Sequence, residues 1–202
     1  NTGFQLLINA GQVNLTGITL NPTSASIVQG GTANLQVAYT PTNATNKNVT
    51  WTSSNPSVAS VTASGTGTAT VSANAVGTAT ITVTSQQGGF SRTCNVTVTP
   101  AVTITATDAT AGEGGNPGVF RISTGSTSSN ITVGYTVSGS ASASDYTPSL
   151  SGSVTLTPAS PAATITITPA HHSLFEGPGN ITLTLQPGTG YNLGGSTTPT
   201  VS

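Results

Sequence analysis

The sequence predicts an all-β protein built as two tandem Greek-key β-sandwiches, and three observations carry that prediction. First, strand-like runs alternate aliphatic residues with Thr, as in Gly77-Thr78-Ala79-Thr80-Ile81-Thr82-Val83-Thr84, the pattern of a pleated strand with one face buried and one wet. Second, turn signals punctuate these runs at short spacing, among them Gly30-Gly31, Asn55-Pro56, Gly88-Gly89, Gly114-Gly115 and Pro187-Gly188, which suits sandwiches with many short strands. Third, no run reads as a useful amphipathic helix or reaches the roughly 18 apolar residues of a membrane-spanning one. A length of 202 residues divides naturally into two domains of about a hundred each.

The opening residues 1–11 form an extension in which Phe4, Leu6 and Ile8 alternate with Gln5, Leu7 and Asn9. A strand there presents one strongly apolar face and one mixed face. Residues 12–99 form the first domain, whose last strand carries Cys94-Asn95-Val96-Thr97-Val98. Pro100 then separates Thr99 from Val102-Thr103-Ile104, and so short a Pro-containing connection predicts a stiff end-to-end rod. Residues 101–202 form the second domain, with further alternating runs in Ile131-Thr132-Val133-Gly134-Tyr135-Thr136-Val137, Ala163-Thr164-Ile165-Thr166-Ile167 and Ile181-Thr182-Leu183-Thr184-Leu185.

Composition excludes several functions. Only 3% of residues are charged, against roughly a quarter in an ordinary domain, so Thr, Ser, Asn and Gln must clothe the surface. Three cations, Lys47, Arg92 and Arg121, and a net charge of −1 leave no basic patch for nucleic acid or an anionic membrane. The single Cys94 has no intramolecular partner and reads as a small core residue. The first residues lack the basic start and cleavage-site end of a secretory signal, so the chain reads as mature or excised.

Four ordered segments carry a family resemblance in the first domain. They are Ile18-Thr19-Leu20-Asn21-Pro22-Thr23 followed by Gly30-Gly31-Thr32; the stretch from Pro41 to Trp51; Ser53-Ser54-Asn55-Pro56-Ser57-Val58-Ala59-Ser60-Val61; and Gly77-Thr78-Ala79-Thr80-Ile81-Thr82-Val83. From about Val13 to Thr99 the chain resembles a bacterial group 2 immunoglobulin-like domain of the invasin and intimin type. The resemblance implies an immunoglobulin-like sandwich with Trp51 as the large plug between its sheets, used in surface adhesins, cell-envelope proteins and phage structural proteins as spacer or contact surface.

From Ala101 onward the chain resembles a Calx-β domain. The carriers are Val102-Thr103-Ile104 with Gly112-Glu113-Gly114, Val119-Phe120-Arg121-Ile122, Val133-Gly134-Tyr135-Thr136-Val137, Ser144-Asp145-Tyr146 and Phe175-Glu176-Gly177. Members of that family can bind Ca²⁺ through carboxylates gathered at one end of the sandwich, and Glu113, Asp145 and Glu176 fall on matching positions. The family's acidic pair after the Ile165 strand is here His171-His172, and the acid expected after Glu176-Gly177 is replaced by Pro178-Gly179. Imidazole is a poor ligand for a hard cation, so two readings stand: a weak calcium site, or acids kept as strand-end hydrogen-bond acceptors. His171 and His172 lack the further ligands of a zinc set. Thr200-Val201-Ser202 ends where a Calx-β domain is normally still completing its last strand.

No nucleophile, base and orienting group fall into a hydrolase pattern, and no phosphate-cradling loop is present; the chain reads as a non-enzyme that needs no cofactor. Sequons at Asn14, Asn43, Asn48, Asn95, Asn130 and Asn180 are what a Thr-rich chain produces by chance. The reading is of an extracellular, cell-surface structural protein, a fibre or appendage subunit in which Phe4, Leu6, Leu7 and Ile8 of one copy enter the sheet of the next to build a homopolymer. The alternative is a calcium- or carbohydrate-binding adhesin module from a larger surface protein, recognising a receptor or glycan, with Tyr39, Tyr135, Tyr146 and Tyr191 as candidate platforms.

Overall fold

The computed structural model describes residues 11–112, 114–171, 177–195 and 197–202. Contacts divide the chain into two compact units, the first reaching Thr97 and the second running from Val98 to Ser202, with Val28–Gly30 and Ala75–Gly77 assigned to the second. Each unit is a sandwich of two sheets.

In the first unit, β1 (Gly17–Asn21), β3 (Thr32–Thr40), β6 (Thr68–Ala73) and β5 (Ala59–Gly65) form one sheet in the order β1-β3-β6-β5. The facing sheet has the order β2-β8-β7-β4, from β2 (Ser24–Val28), β8 (Ser91–Thr99), β7 (Gly77–Ser85) and β4 (Val49–Ser53). The chain passes from β1 to β2 through Pro22 and Thr23 and so switches sheets at one side; β4 and β5 flank the other side, where Ser53 Oγ donates to the Ala59 carbonyl at 2.6 Å. Alternation dictates the core: Leu35, Val37, Ala69, Val71, Ile81, Val83, Cys94 and Val96 are all buried, while the Thr residues between them face outward. Aliphatic burial of this kind contributes about 1.5–3 kcal/mol per large side chain.

Turn chemistry fixes the hairpins. Gly67 has φ +72°, and a Cβ there would collide with the Tyr39 hydroxyl. Gly88 has φ +80° and would strike the Phe90 ring. Both positions require glycine for backbone sign and for space.

The second unit pairs a five-stranded sheet with a four-stranded one. The larger has the order β12-β14-β10-β9-β16, from β12 (Tyr146–Thr147), β14 (Ala162–Pro169), β10 (Gly118–Thr124), β9 (Ala101–Asp108) and β16 (Asn192–Leu193). The smaller has the order β13-β11-β15-β17, from β13 (Ser153–Leu156), β11 (Ile131–Ser138), β15 (Ile181–Leu185) and β17 (Thr200–Val201). Between them lie Val102, Ile104, Phe120, Ile122, Val133, Leu156 and Leu183, each fully buried.

Two expectations change on inspection. Trp51 is not the central plug: it lies on β4, an edge strand, opposite Val83, and is only half-buried, because Ile81, Val83 and Val71 already fill the middle. The last strand is not missing along β15 either. Leu185 N–H donates to the Thr197 carbonyl at 3.0 Å, Leu183 N–H to Pro199 at 3.2 Å, and Ile181 pairs with a buried Val201. Ser202 then exchanges backbone bonds with Ala109 and Ala111 at 2.9 and 2.8 Å, so the segment after Ser196 closes this side of the sandwich.

Truncating Phe120, whose ring is fully buried between the sheets, is expected to lower unfolding free energy by about 3–5 kcal/mol. Urea denaturation of Phe120→Ala checks this, and a loss below about 1 kcal/mol would contradict the packing described.

Candidate functional site

Of the three carboxylates singled out for calcium, only Asp145 is among the described residues; Glu113 and Glu176 lie outside them, as does His172. Asp145 sits in the turn before β12, and its oxygens are already engaged. Oδ2 accepts the Ser142 N–H at 2.7 Å, while Oδ1 accepts the Ser142 hydroxyl at 2.5 Å and the Ser144 hydroxyl at 3.1 Å. Its backbone carbonyl takes the Ala170 N–H at 2.8 Å, tying the turn to the end of β14. This is the arrangement of a strand-end acceptor. Asp108 does the same at the end of β9, accepting the N–H and hydroxyl of Thr110 at 3.1 and 3.0 Å. Among the described residues no three His, Cys, Asp or Glu side chains come together as a metal set.

The candidate glycan platforms fare poorly. Tyr135, Tyr146 and Tyr191 belong to the core of the second sandwich. Tyr191 further spends its hydroxyl on the Gln186 carbonyl at 2.7 Å. Tyr39 is half-buried, donates to the Lys47 carbonyl at 2.8 Å and carries the Lys47 ammonium 5.8 Å above its ring. Alternation explains the error: Tyr135 falls on the inward phase of β11 with Ile131 and Val133.

The expected subunit-contact residues Phe4, Leu6, Leu7 and Ile8 lie outside the described residues. What the fold adds is the set of edges such a segment could meet. None of the eight edge strands, β1, β5, β2, β4, β12, β16, β13 and β17, contains Asp, Glu, Lys or Arg, and a proline enters their ladders at Pro199, just before β17. Charges and prolines are the usual devices that keep sheet edges from pairing with other chains. The strand charges that exist are Arg92, Arg121 and Asp108 on β8, β10 and β9, all interior to their sheets.

The two sides of the first sandwich differ. At the β1 and β2 side, Leu15, Ile18, Leu20 and Ile27 are all buried, whereas at the β4 and β5 side the inward residues Val49, Trp51 and Val61 are half-buried and Ala63 is exposed. Trp51 Nε1 is buried there without a hydrogen-bond partner, a situation that costs about 1–3 kcal/mol. Sequence reasoning missed this rim, since edge status depends on the strand order and not on local pattern.

A shallow groove of about 330 Å³ lies over β7 and β8, lined by Ser54, Thr78, Thr80, Asn95 and Thr97 with Ala79 and Val96. Its groups are hydroxyls and an amide already bonded to one another, Thr80 N–H to Ser54 Oγ at 2.9 Å and Thr80 Oγ1 to Asn95 Oδ1 at 3.4 Å. No acid, base or thiol lines it. Burial raises the pKa of the Cys94 thiol and of the Tyr39 hydroxyl above their ordinary values, and a buried neutral thiol is a poor nucleophile.

Residues 14–96 match the family model described as bacterial Ig-like domain (group 2). No curated protein matches the chain. Among solved structures, the S-layer protein SbsC domains 4 and 5 are 28% identical over 42% of this chain and 51% of that one, with a TM-score of 0.36; the match thus spans about half of that structure. SbsC domains 5-6 are 20% identical over 93% of this chain and 96% of that one, TM-score 0.37. The D00-D0 domain of intimin is 13% identical over 91% and 98%, TM-score 0.42. No helix among the described residues is long and apolar enough to cross a membrane, which says nothing of a β-barrel.

Two outcomes are expected. Asp145→Ala should lower stability by about 1–2 kcal/mol, by the same amount in calcium and in chelator when followed by thermal melting. For Cys94, ionisation is easier in the unfolded chain than in the fold, so its contribution to stability is intact below the unfolded thiol value of about 8.5 and falls as pH rises through it; Cys94→Ala should flatten that alkaline loss in denaturation series at pH 7 to 10.

Proposed function

We propose that this chain is a non-catalytic structural module of an extracellular bacterial surface, with an immunoglobulin-like first domain and a Calx-β-like second domain. It acts as a subunit of a surface fibre assembled by strand addition between copies. The observation that carries this reading is the row of uncharged sheet edges, in a chain whose net charge is only −1. Edges of this kind favour backbone pairing with another chain, and near-neutral subunits stack without mutual repulsion. The match of residues 14–96 to a bacterial immunoglobulin-like family and the apolar alternation of Phe4, Leu6 and Ile8 support the same reading. The donor is the segment containing Phe4, Leu6, Leu7 and Ile8, whose burial would contribute several kcal/mol per junction at about 1.5–3 for each large side chain.

Electron microscopy and light scattering of the full chain, in chelator, test this. Filaments should grow with protein concentration, and deletion of residues 1–10 should abolish them while leaving both sandwiches folded with cooperative melting transitions. A chain that stays monomeric, or one that polymerises equally well without those residues, would falsify the proposal.

A further inference from the structure

The rim between β4 and β5 has three properties that together define an acceptor for one added strand. The first is free hydrogen-bonding capacity of known phase. Asn74 N–H donates to the Val58 carbonyl at 2.8 Å, and on the other side of β6 Ala73 N–H donates to Gly31 at 3.0 Å and Val37 N–H to Gly67 at 2.7 Å. In an antiparallel ladder these bonds alternate from one residue to the next. Up to the register shift after Ala63, even-numbered residues of β5 therefore bond inward to β6, and Val61 and Ala63 turn their N–H and C=O groups outward from the sheet edge. The second property is an apolar seam behind that edge, made of half-buried Val49, Trp51 and Val61 with Ala63 exposed. These sit on the same inner face as their fully buried cross-strand partners Val71 and Val83. The third is charge: neither β4 nor β5 holds an ionisable side chain, so no charge has to be desolvated when another strand covers them.

We infer that β5 of the first sandwich is the edge that receives residues 3–10 of a neighbouring copy. This rests on the fibre reading above and adds the receiving partner to it. Residues 3–10 are long enough to span the outward groups of Val61 and Ala63, since Ala59 already spends its own on Asn55 and Ser53, and they match the edge in polarity. They carry no charge, and their apolar positions 4, 6 and 8 repeat every second residue, so a strand paired to Val61 and Ala63 lays one continuous apolar face over Val61 and Trp51. The opposite side of the sandwich offers no such seam, since Ile18, Leu20 and Ile27 are already covered.

Trp51 is the chain's one tryptophan and sits in the seam, so its emission reports occupancy directly. The probe is a synthetic peptide of residues 1–11, which contains no Trp, added to the chain lacking residues 1–10. Emission should shift to the blue and saturate. Ala63→Pro, which removes an outward N–H, and Ala63→Lys, which places a charge in the seam at an exposed position, should each weaken peptide binding about tenfold or more. In the full chain both should suppress filaments, and Thr155→Lys on the exposed edge of β13 should change neither readout. Filaments that need residues 1–10 yet ignore both Ala63 variants would overturn the β5 assignment and leave strand addition standing. Filaments that persist without residues 1–10 would remove the fibre reading itself. A dimer of the shortened chain that Ala63→Pro dissolves would place a second β5 at this edge and overturn the segment as occupant.

Discussion

Every layer of this protein depends on one constraint, the strict two-residue alternation that sends aliphatic side chains inward and Thr or Ser outward along a paired backbone. With 3% charged residues, ion pairs are nearly unavailable as organising forces, and the described charges act locally, Asp145 and Asp108 as turn acceptors. Specificity of register then falls to the core: slipping β7 by one residue would expose Ile81 and Val83 and bury threonines. Turn glycines such as Gly67 supply the remaining fixed points, because their geometry admits no side chain.

The same constraint separates what was legible from what was not. Strands such as Ile131 to Val137 declare themselves by period alone, and the phase of that period marks Val133 and Tyr135 as interior. Tyr135 follows that phase into the core and is no surface platform. Edge positions are different in kind. Nothing in Ala59-Ser60-Val61-Thr62-Ala63 distinguishes a central strand from a border one, because that depends on which partners the Greek-key order supplies. Trp51 illustrates the cost: its size suggested the centre, but β4 is outermost in its sheet. Asp145 was more readable, since Ser142, Ser144 and the carboxylate lie within one turn and short polar side chains of that spacing bond locally.

The uneven sealing of the first sandwich has a thermodynamic meaning. A monomer leaves Val49, Trp51 and Val61 partly wet and Trp51 Nε1 without an acceptor, so its stability is lower than the same sandwich with that rim covered. Anything that binds only the folded chain raises its stability by mass action. Association at the rim, as proposed above, would therefore be coupled to folding of the domain, and a chain stable enough to fold alone would gain further resistance once it had a neighbour.

Cys94 has a wider consequence. Its sulfur is the chain's only one, since methionine is absent, and it lies wholly inside the first core. Oxidants that convert exposed thiols to sulfenic acids and thioethers to sulfoxides find no substrate on this surface. Nor can mixed disulfides cross-link copies through it. In the extracellular role proposed above, among peroxides and without reductases to repair damage, such chemical inertness would be a form of durability.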